Sequence, residues 1–289
     1  MNVSTALNEY HILTSATLKE SSIFIQTYYV KHLTNCLHEL GIKKLKQIDI
    51  NTGYHIVSWY RNNTKNHNNS INKNIRFLKN VMRHYEVITS FQKFKLLPSD
   101  TKPYKRLFHE DLKLIIHYLL QMEYSRNSIV YRTAILLLLD SGVRISELLD
   151  IKIRNIDFDL MRIYLETTKN GKVRYAPFSE FSRESIMEII HMNSKSPYLF
   201  WNFIHDRRLS KSDMKNFYRR LKGWTQLDRI HSHRFRKTFG SILAENGMAI
   251  QHIQKMLDHS RVTTTMIYIE HEKEKAFEEY QNHNNWKVA

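Results

Sequence analysis

Cysteine is almost absent from this chain. Cys36 is the only one among 289 residues, which excludes an internal disulfide and a cysteine-ligated zinc site. Glycine and proline are scarce too, at 7 and 4 residues; so few turn formers disfavour an all-β chain and point to helices. No apolar run is long enough to span a bilayer. The opening stretch MNVSTALNEYHILTSATLKESS has no basic head followed by a long apolar segment, so no secretory signal is read and a cytoplasmic, reducing location is expected. There is no Gly-rich phosphate loop ending in Lys-Ser/Thr, and HEKEK at 271–275 is not the zinc-binding H-E-x-x-H pattern. Asp157 and Asp159 lie two apart without an evident third acidic partner, so a metal-dependent nuclease is poorly supported. No internal repeat is found.

What the chain does have is positive charge. Its formal net charge is +16 and its pI about 9.7, with 42% hydrophobic residues to build a core. A balance this basic suits a polyanionic partner, most commonly nucleic acid. Residues 1–104 hold 14 Lys and Arg against 6 Asp and Glu, and the remainder holds 30 against 22, so each part carries +8. Both parts are therefore expected to meet DNA.

Residues 1–20 carry no strong pattern and read as an N-terminal arm or a short helix. From Ile23 to Leu40 the residues Ile25, Tyr29, Leu33, Cys36, Leu37 and Leu40 recur at helical spacing, with Gly41 as a stop. Cys36 reads as a small core residue within that pattern. Asn51 and Thr52 are candidate caps for a second helix through Ile56, Trp59 and Tyr60, and the Asn-rich RNNTKNHNNS follows as a loop. A third helix spans about Ser70 to Tyr85. Ile71, Ile75, Leu78, Met82 and Tyr85 form one apolar face, and Lys73, Arg76, Lys79 and Arg83 gather away from it. Such a row is either a solvated face or a set of phosphate contacts. KLLPSDTKPYKR, with Pro98 and Pro103, reads as an interdomain linker.

Beyond it, His109–Gln121 and Asn127–Asp140 are helical, the second a buried core helix containing AILLLL. Gly142 breaks the chain before another helix. MRIYLETTK and KVRYAPF flank Asn170-Gly171, the strongest short signal for a β-hairpin. From Ser179 onward the pattern is again mostly helical, with Asn246-Gly247 between a helix starting near His233 and one over Ile250–Leu257.

Five positions and one hairpin carry candidate chemistry. His233 and Arg236 stand three apart on a helix and so share a face. Arg144 follows Gly142, where a structural role would be equally easy. Lys169 and Lys172 flank the hairpin tip, and His259 closes a helix. Tyr268 is one of 16 tyrosines. Each alone has a structural explanation. Together, SGVRISELLDI around Arg144, TKNGKVRYAPF around Lys169, HSHRFRKTF around His233 and Arg236, and MLDHSRVTTTMIY ending in Tyr268 resemble the tyrosine recombinase family, the phage-integrase and Xer-like site-specific recombinases. The spacings of 26 residues from His233 to His259 and 9 from there to Tyr268 agree as well. The resemblance covers about residues 106–289. The N-terminal helices resemble the family's core-binding domain only in size, helicity and charge.

The resemblance implies a mostly α, two-domain, C-shaped DNA clamp with a small β-sheet or hairpin in the catalytic domain. Its expected parts are an arm at 1–20, a helical SAM-like core-binding domain at 21–95, a linker at 96–105 and the catalytic domain with its C-terminal tail at 106–289. It implies Tyr268 as the nucleophile forming a 3′-phosphotyrosyl link, with Arg144 and Arg236 on the non-bridging phosphate oxygens. His233 would transfer the proton at the tyrosine, and Lys169, with Lys172 as its rival, would protonate the leaving 5′-oxygen. His259 would hydrogen-bond the phosphate and Glu147 would support the site. Neither ATP nor a metal is then required, so no cofactor is expected. Asp258 departs from the family, which commonly has Gly there, and so does Lys237, where His is common.

The expected partners are double-stranded recombination sites, a homotetramer on DNA, and a second recombinase or directionality factor in some settings, with no membrane. The charged tail HEKEKAFEEYQ would pack on a neighbouring protomer. About 20 residues before the first patterned helix are too few for the arm-binding domain of lambda-type integrases, which favours a Xer-like or mobile-element enzyme. Two other classes stay open here: a catalytically silent DNA-binding accessory protein of the same fold, and a type IB-like topoisomerase.

Overall fold

The computed structural model describes residues 1–99, 106–166, 173–193 and 196–259. The chain divides into two compact units, Met1–Pro103 and Tyr104–Ala289.

The first unit is a helical cluster of α1 (Val3–Ser15), α2 (Glu20–Glu39), α3 (Ile50–Asn63) and α4 (Asn68–His84). Residues 1–20 contain the short helix: α1 packs along α2 and α4 and buries Val3, Ala6 and Leu7. Asn2 caps it, its side-chain oxygen accepting from the Ser4 amide at 2.9 Å, and pairs with Lys44 in an isolated β-bridge. Three small apolar residues in one turn are too few to register as a periodic pattern, yet they suffice to dock a helix. α2 ends before Gly41, whose φ of +70° belongs to the left-handed region that ends helices. Its Cys36 is fully buried, and burial pushes the thiol up to about 12. The cap of α3 is Asp49, two residues before Asn51 and three before Thr52: Asp49 accepts from the Thr52 amide at 2.8 Å, and Thr52 accepts from the Asp49 amide at 3.1 Å.

α4 buries Ile71, Ile75, Leu78 and Met82 as their spacing predicts, and also Asn72 and Asn74. Both amides are satisfied. Asn72 exchanges two bonds with the Leu97 backbone (2.8 and 2.9 Å), and Asn74 accepts from the buried Tyr60 hydroxyl at 2.8 Å. Lys73, Arg76 and Arg83 are exposed. Lys79, the fourth member of that row, is half-buried. Its Nζ donates to the carbonyls of Gln92 (3.0 Å) and Phe94 (2.8 Å), tying α4 to the following turn, and burial lowers its pKa.

The second unit holds α5 (His109–Gln121), α6 (Arg126–Ser141), α7 (Ile145–Leu149), a three-stranded antiparallel sheet of β1 (Ile156–Asp157), β2 (Arg162–Leu165) and β3 (Arg174–Pro177), then α8 (Glu180–Met192), a short ribbon of β4 (Trp201–Asn202) and β5 (Arg207–Arg208), α9 (Lys211–Thr225), α10 (Ser232–Glu245) and α11 (Ile250–Met256). α6 is apolar on nearly every face and lies at the centre, packed by α8 and α10. β2 and β3 pair in the register Leu165 with Arg174 and Ile163 with Ala176, so Ile163, Leu165 and Ala176 are buried. The hairpin tip, with Lys169, Asn170, Gly171 and Lys172, lies outside the described residues, as do Tyr268 and the tail beyond it. Among the described residues, no helix is long and apolar enough to cross a membrane and no cluster of His, Cys, Asp and Glu could hold a metal ion.

α6 ends at Gly142, with φ +60°. A Cβ there would come within 2.3 Å of the Phe239 ring and 3.0 Å of Leu257. Gly142→Ala is therefore expected to cost about 2–4 kcal/mol, from the left-handed backbone plus overpacking. The shift of the urea-unfolding midpoint checks it.

Candidate active site

The site is assembled around the C-terminal end of α11. The last carbonyls of a helix lack intrahelical partners and carry its negative dipole end. Here three consecutive carbonyls are each met by an arginine from a different element. Arg174 on β3 donates to Met256 O at 2.7 Å, Arg236 on α10 to Leu257 O, and Arg144 at the start of α7 to Asp258 O at 2.8 Å. Arg236 also donates to Gly142 O at 2.7 Å, which is the end of a second helix, α6. With 1% of its surface exposed, Arg236 is the largest fully buried side chain among the described residues, and these carbonyls let a guanidinium remain charged there.

His259 follows immediately. Its amide donates to Gln254 O at 3.1 Å, and the Gln254 side chain donates back to His259 O at 2.9 Å, so the turn is closed on both sides. Partial burial, then the charges of Arg236, Arg144 and His233, lower its pKa to about 4. His233, one turn before Arg236 on α10, stands at the surface. Desolvation and then Arg236, His231, Arg144 and Lys237 depress it. In both imidazoles burial, and after it the charges of Arg236 and Arg144, disfavours the protonated form. The structure therefore brings together Arg144, Arg236, His233 and His259 from three segments of the chain. Lys169, Lys172 and Tyr268 lie outside the described residues.

Glu147 is the counter-charge. It is 1% exposed and accepts from the Arg144 amide (2.8 Å), Arg144 Nη1 (2.7 Å) and Arg174 Nη2 (2.6 Å). Burial alone would raise its pKa, but Arg174 and the bonds from Arg144 outweigh it and hold the carboxyl below its ordinary value near 4.5. Arg174 is the residue that sequence reasoning missed. It lies within KVRYAPF as an ordinary strand arginine, and only the fold reveals that its side chain is buried between β3, Glu147 and α11. A signal was available: Arg174 interrupts a strand whose pairing partner, Leu165, is apolar and inward.

Asp258 has φ +48°, a left-handed backbone that explains why glycine suits this position. Aspartate tolerates it better than most side chains. Its carboxylate accepts a second bond from Arg144 Nη1 at 2.9 Å.

The model of the phage integrase family matches residues 105–275. A probable integrase/recombinase of Acholeplasma phage L2 is 47% identical over 286 residues, covering 99% of both chains. The chain belongs to the phage integrase family. Tyrosine recombinase XerA of Pyrococcus furiosus is 30% identical over 169 residues, covering 57% of this chain and 56% of its own. The fold matches that of a Tn1549 transposon integrase solved with circular-intermediate DNA, at TM-score 0.80 and 20% identity over 93% of this chain and 95% of that one. The activity class is site-specific recombination by a tyrosine recombinase, and neither the silent accessory protein nor the topoisomerase is favoured.

In this recombinase, Glu147 contributes stability that is fully present above its unfolded pKa and is lost as pH falls through the lower folded one. Glu147→Gln leaves the buried Arg174 and the part-exposed Arg144 guanidinium groups short of charge. It is expected to lower stability by about 3 kcal/mol at neutral pH and to flatten the fall in stability below pH about 4.5. Denaturant titrations across that pH range check both.

Proposed function

We propose that the chain cleaves and rejoins DNA strands through Tyr268, with the described arginines and histidines as its phosphate site. The observation that supports this reading most directly is the convergence of Arg144 and Arg236 on adjacent carbonyls beside His259. Two guanidinium groups anchored by protein carbonyls are pre-oriented, and their planar N–H donors match the non-bridging oxygens of a phosphodiester.

The Tyr268 phenol oxygen attacks phosphorus. The new P–O bond to tyrosine forms as the bond to the 5′-oxygen breaks. A free phenol titrates near 10, so its proton must leave during attack; in this reading His233 takes it. Lys169, with Lys172 as the alternative, supplies a proton to the departing 5′-oxygen. His259 donates a hydrogen bond to the phosphate. The reverse reaction, with a 5′-hydroxyl from another strand, reseals the backbone, so phosphodiester energy is kept in the protein–DNA bond.

In this reading residues 21–95 form the core-binding domain and 106–289 the catalytic domain of a clamp, joined by a linker at 96–105. Four protomers act on two duplex sites, and the charged tail after Tyr268 links neighbours. The phage relative fits a mobile-element setting. Lys73, Arg76 and Arg83 contact phosphates from α4, and Lys79 positions that helix instead.

Two outcomes are expected. On a suicide substrate nicked beside the cleavage site, Tyr268→Phe gives no covalent adduct, while Arg144→Ala and Arg236→Ala slow adduct formation by about 10²–10³. An adduct that survives Tyr268→Phe removes the assignment. In binding titrations, alanine at Lys73, Arg76 or Arg83 reduces the salt dependence by about one phosphate contact, whereas Lys79→Ala lowers thermal stability and leaves that slope nearly unchanged.

A further inference from the structure

Asp258 places a carboxylate where the site is meant to receive a phosphate. Arg144 is anchored without it. The Arg144 amide and Nη1 bond to Glu147 at 2.8 and 2.7 Å, and Nη2 bonds to the main-chain carbonyl of residue 258 at 2.8 Å. All of these survive a change of side chain at 258. The carboxylate adds one more bond, at 2.9 Å, to the Nη1 that Glu147 already holds. The bond differs from the Glu147 pair in one respect: Glu147 is buried, with 1% of its side chain exposed, whereas the Arg144–Asp258 pair shows 20% and 18%. The Asp258 side chain thus keeps partial access to solvent, which the Glu147 side chain lacks.

The backbone makes the choice of residue more telling. At φ +48° a glycine would sit without strain, while most side chains cost roughly 1–2 kcal/mol and aspartate somewhat less. The chain carries that cost for a group that adds little to the anchoring of Arg144. It also changes the local charge: among the described residues it adds a second carboxylate, beside that of Glu147, to the Arg144 guanidinium. A carboxylate and a phosphate oxygen are interchangeable ligands for an arginine.

We propose that Asp258 is an internal competitor for phosphate at Arg144, so that engaging the scissile phosphate requires its carboxylate to be displaced. The proposal rests on Arg144 being a phosphate ligand. DNA affinity is spread over many backbone contacts, so the effect appears in the rate of adduct formation at saturating protein and much less in overall binding. Asp258 thus acts through Arg144 as a positioning residue. It makes cleavage depend on DNA that is held well enough to complete the exchange, and disfavours weakly docked phosphates.

The test uses the full chain with the nicked suicide substrate under single-turnover conditions. Asp258→Asn keeps a side chain that tolerates the left-handed backbone and removes the charge; Asp258→Gly removes charge and strain together. Both are expected to form the adduct about three- to fivefold faster than the parent at saturating protein, the range a part-exposed ion pair commands, with thermal stability unchanged or higher. A side chain needed merely to hold Arg144 moves the rate in the opposite direction. Equal or slower adduct formation in either variant that keeps its thermal unfolding transition overturns the proposal. Arg144→Ala run in parallel separates the two failures: if it cleaves like the parent, the phosphate-ligand reading falls; if it is inactive and the Asp258 variants are not faster, only the competitor falls.

Discussion

The three carbonyls of Met256, Leu257 and Asp258 are the constraint on which the catalytic unit's chemistry depends. A helix end offers partial negative charge with no covalent cost and no titration. It helps three guanidinium groups to be gathered from α7, β3 and α10. Glu147 supplies full charge for two of them. Arg236 is held instead by two helix ends, of α6 and α11. Each arginine is fixed from the protein side, which is what pre-orientation toward a ligand on the other side demands.

The same arrangement explains the histidines. Neutral imidazole is useful both as a proton acceptor and as a single-hydrogen-bond donor, and an unperturbed histidine is only partly neutral at physiological pH. Around His259 and His233, burial and the neighbouring guanidinium charges act in one direction. The cations that suit a phosphodiester therefore also set the protonation state of the groups beside them. Lys237, where the family commonly has histidine, adds to this bias at His233 and removes no group that the arrangement needs.

Helices and strands with a periodic apolar face were legible from residue order: α4 through Ile71, Ile75, Leu78 and Met82, α6 through its apolar run, and the β2–β3 pair through its alternation. α1 was not, because Val3, Ala6 and Leu7 carry too little apolar surface to mark a face. The charged row on α4 was legible as a row, but not the fate of Lys79, whose long stem reaches carbonyls 13 and 15 residues away. At the site, Arg144, His233, Arg236 and His259 were identified from motif and spacing. Arg174 was not, since an arginine that is buried by residues 27 and 82 positions away has the same letter as one in water.

Asp258 shows why a departure from a familiar motif is informative once the backbone is known. From sequence it is only an added negative charge near a phosphate site. The φ of +48° turns it into a residue that the chain holds at a conformational disadvantage, and the bonds of Arg144 show that the fold does not need it as an anchor. Repulsion among three clustered guanidinium groups is relieved by any anion that reaches them. In the chain without DNA one such anion is the Asp258 carboxylate; in the proposed reading the phosphate takes its place on DNA. An enzyme whose reaction leaves a broken strand attached to protein gains from a site that is electrostatically quiet until a well-docked backbone replaces the internal anion. The strength of that replacement is set by one part-exposed ion pair, small enough to exchange and large enough to discriminate.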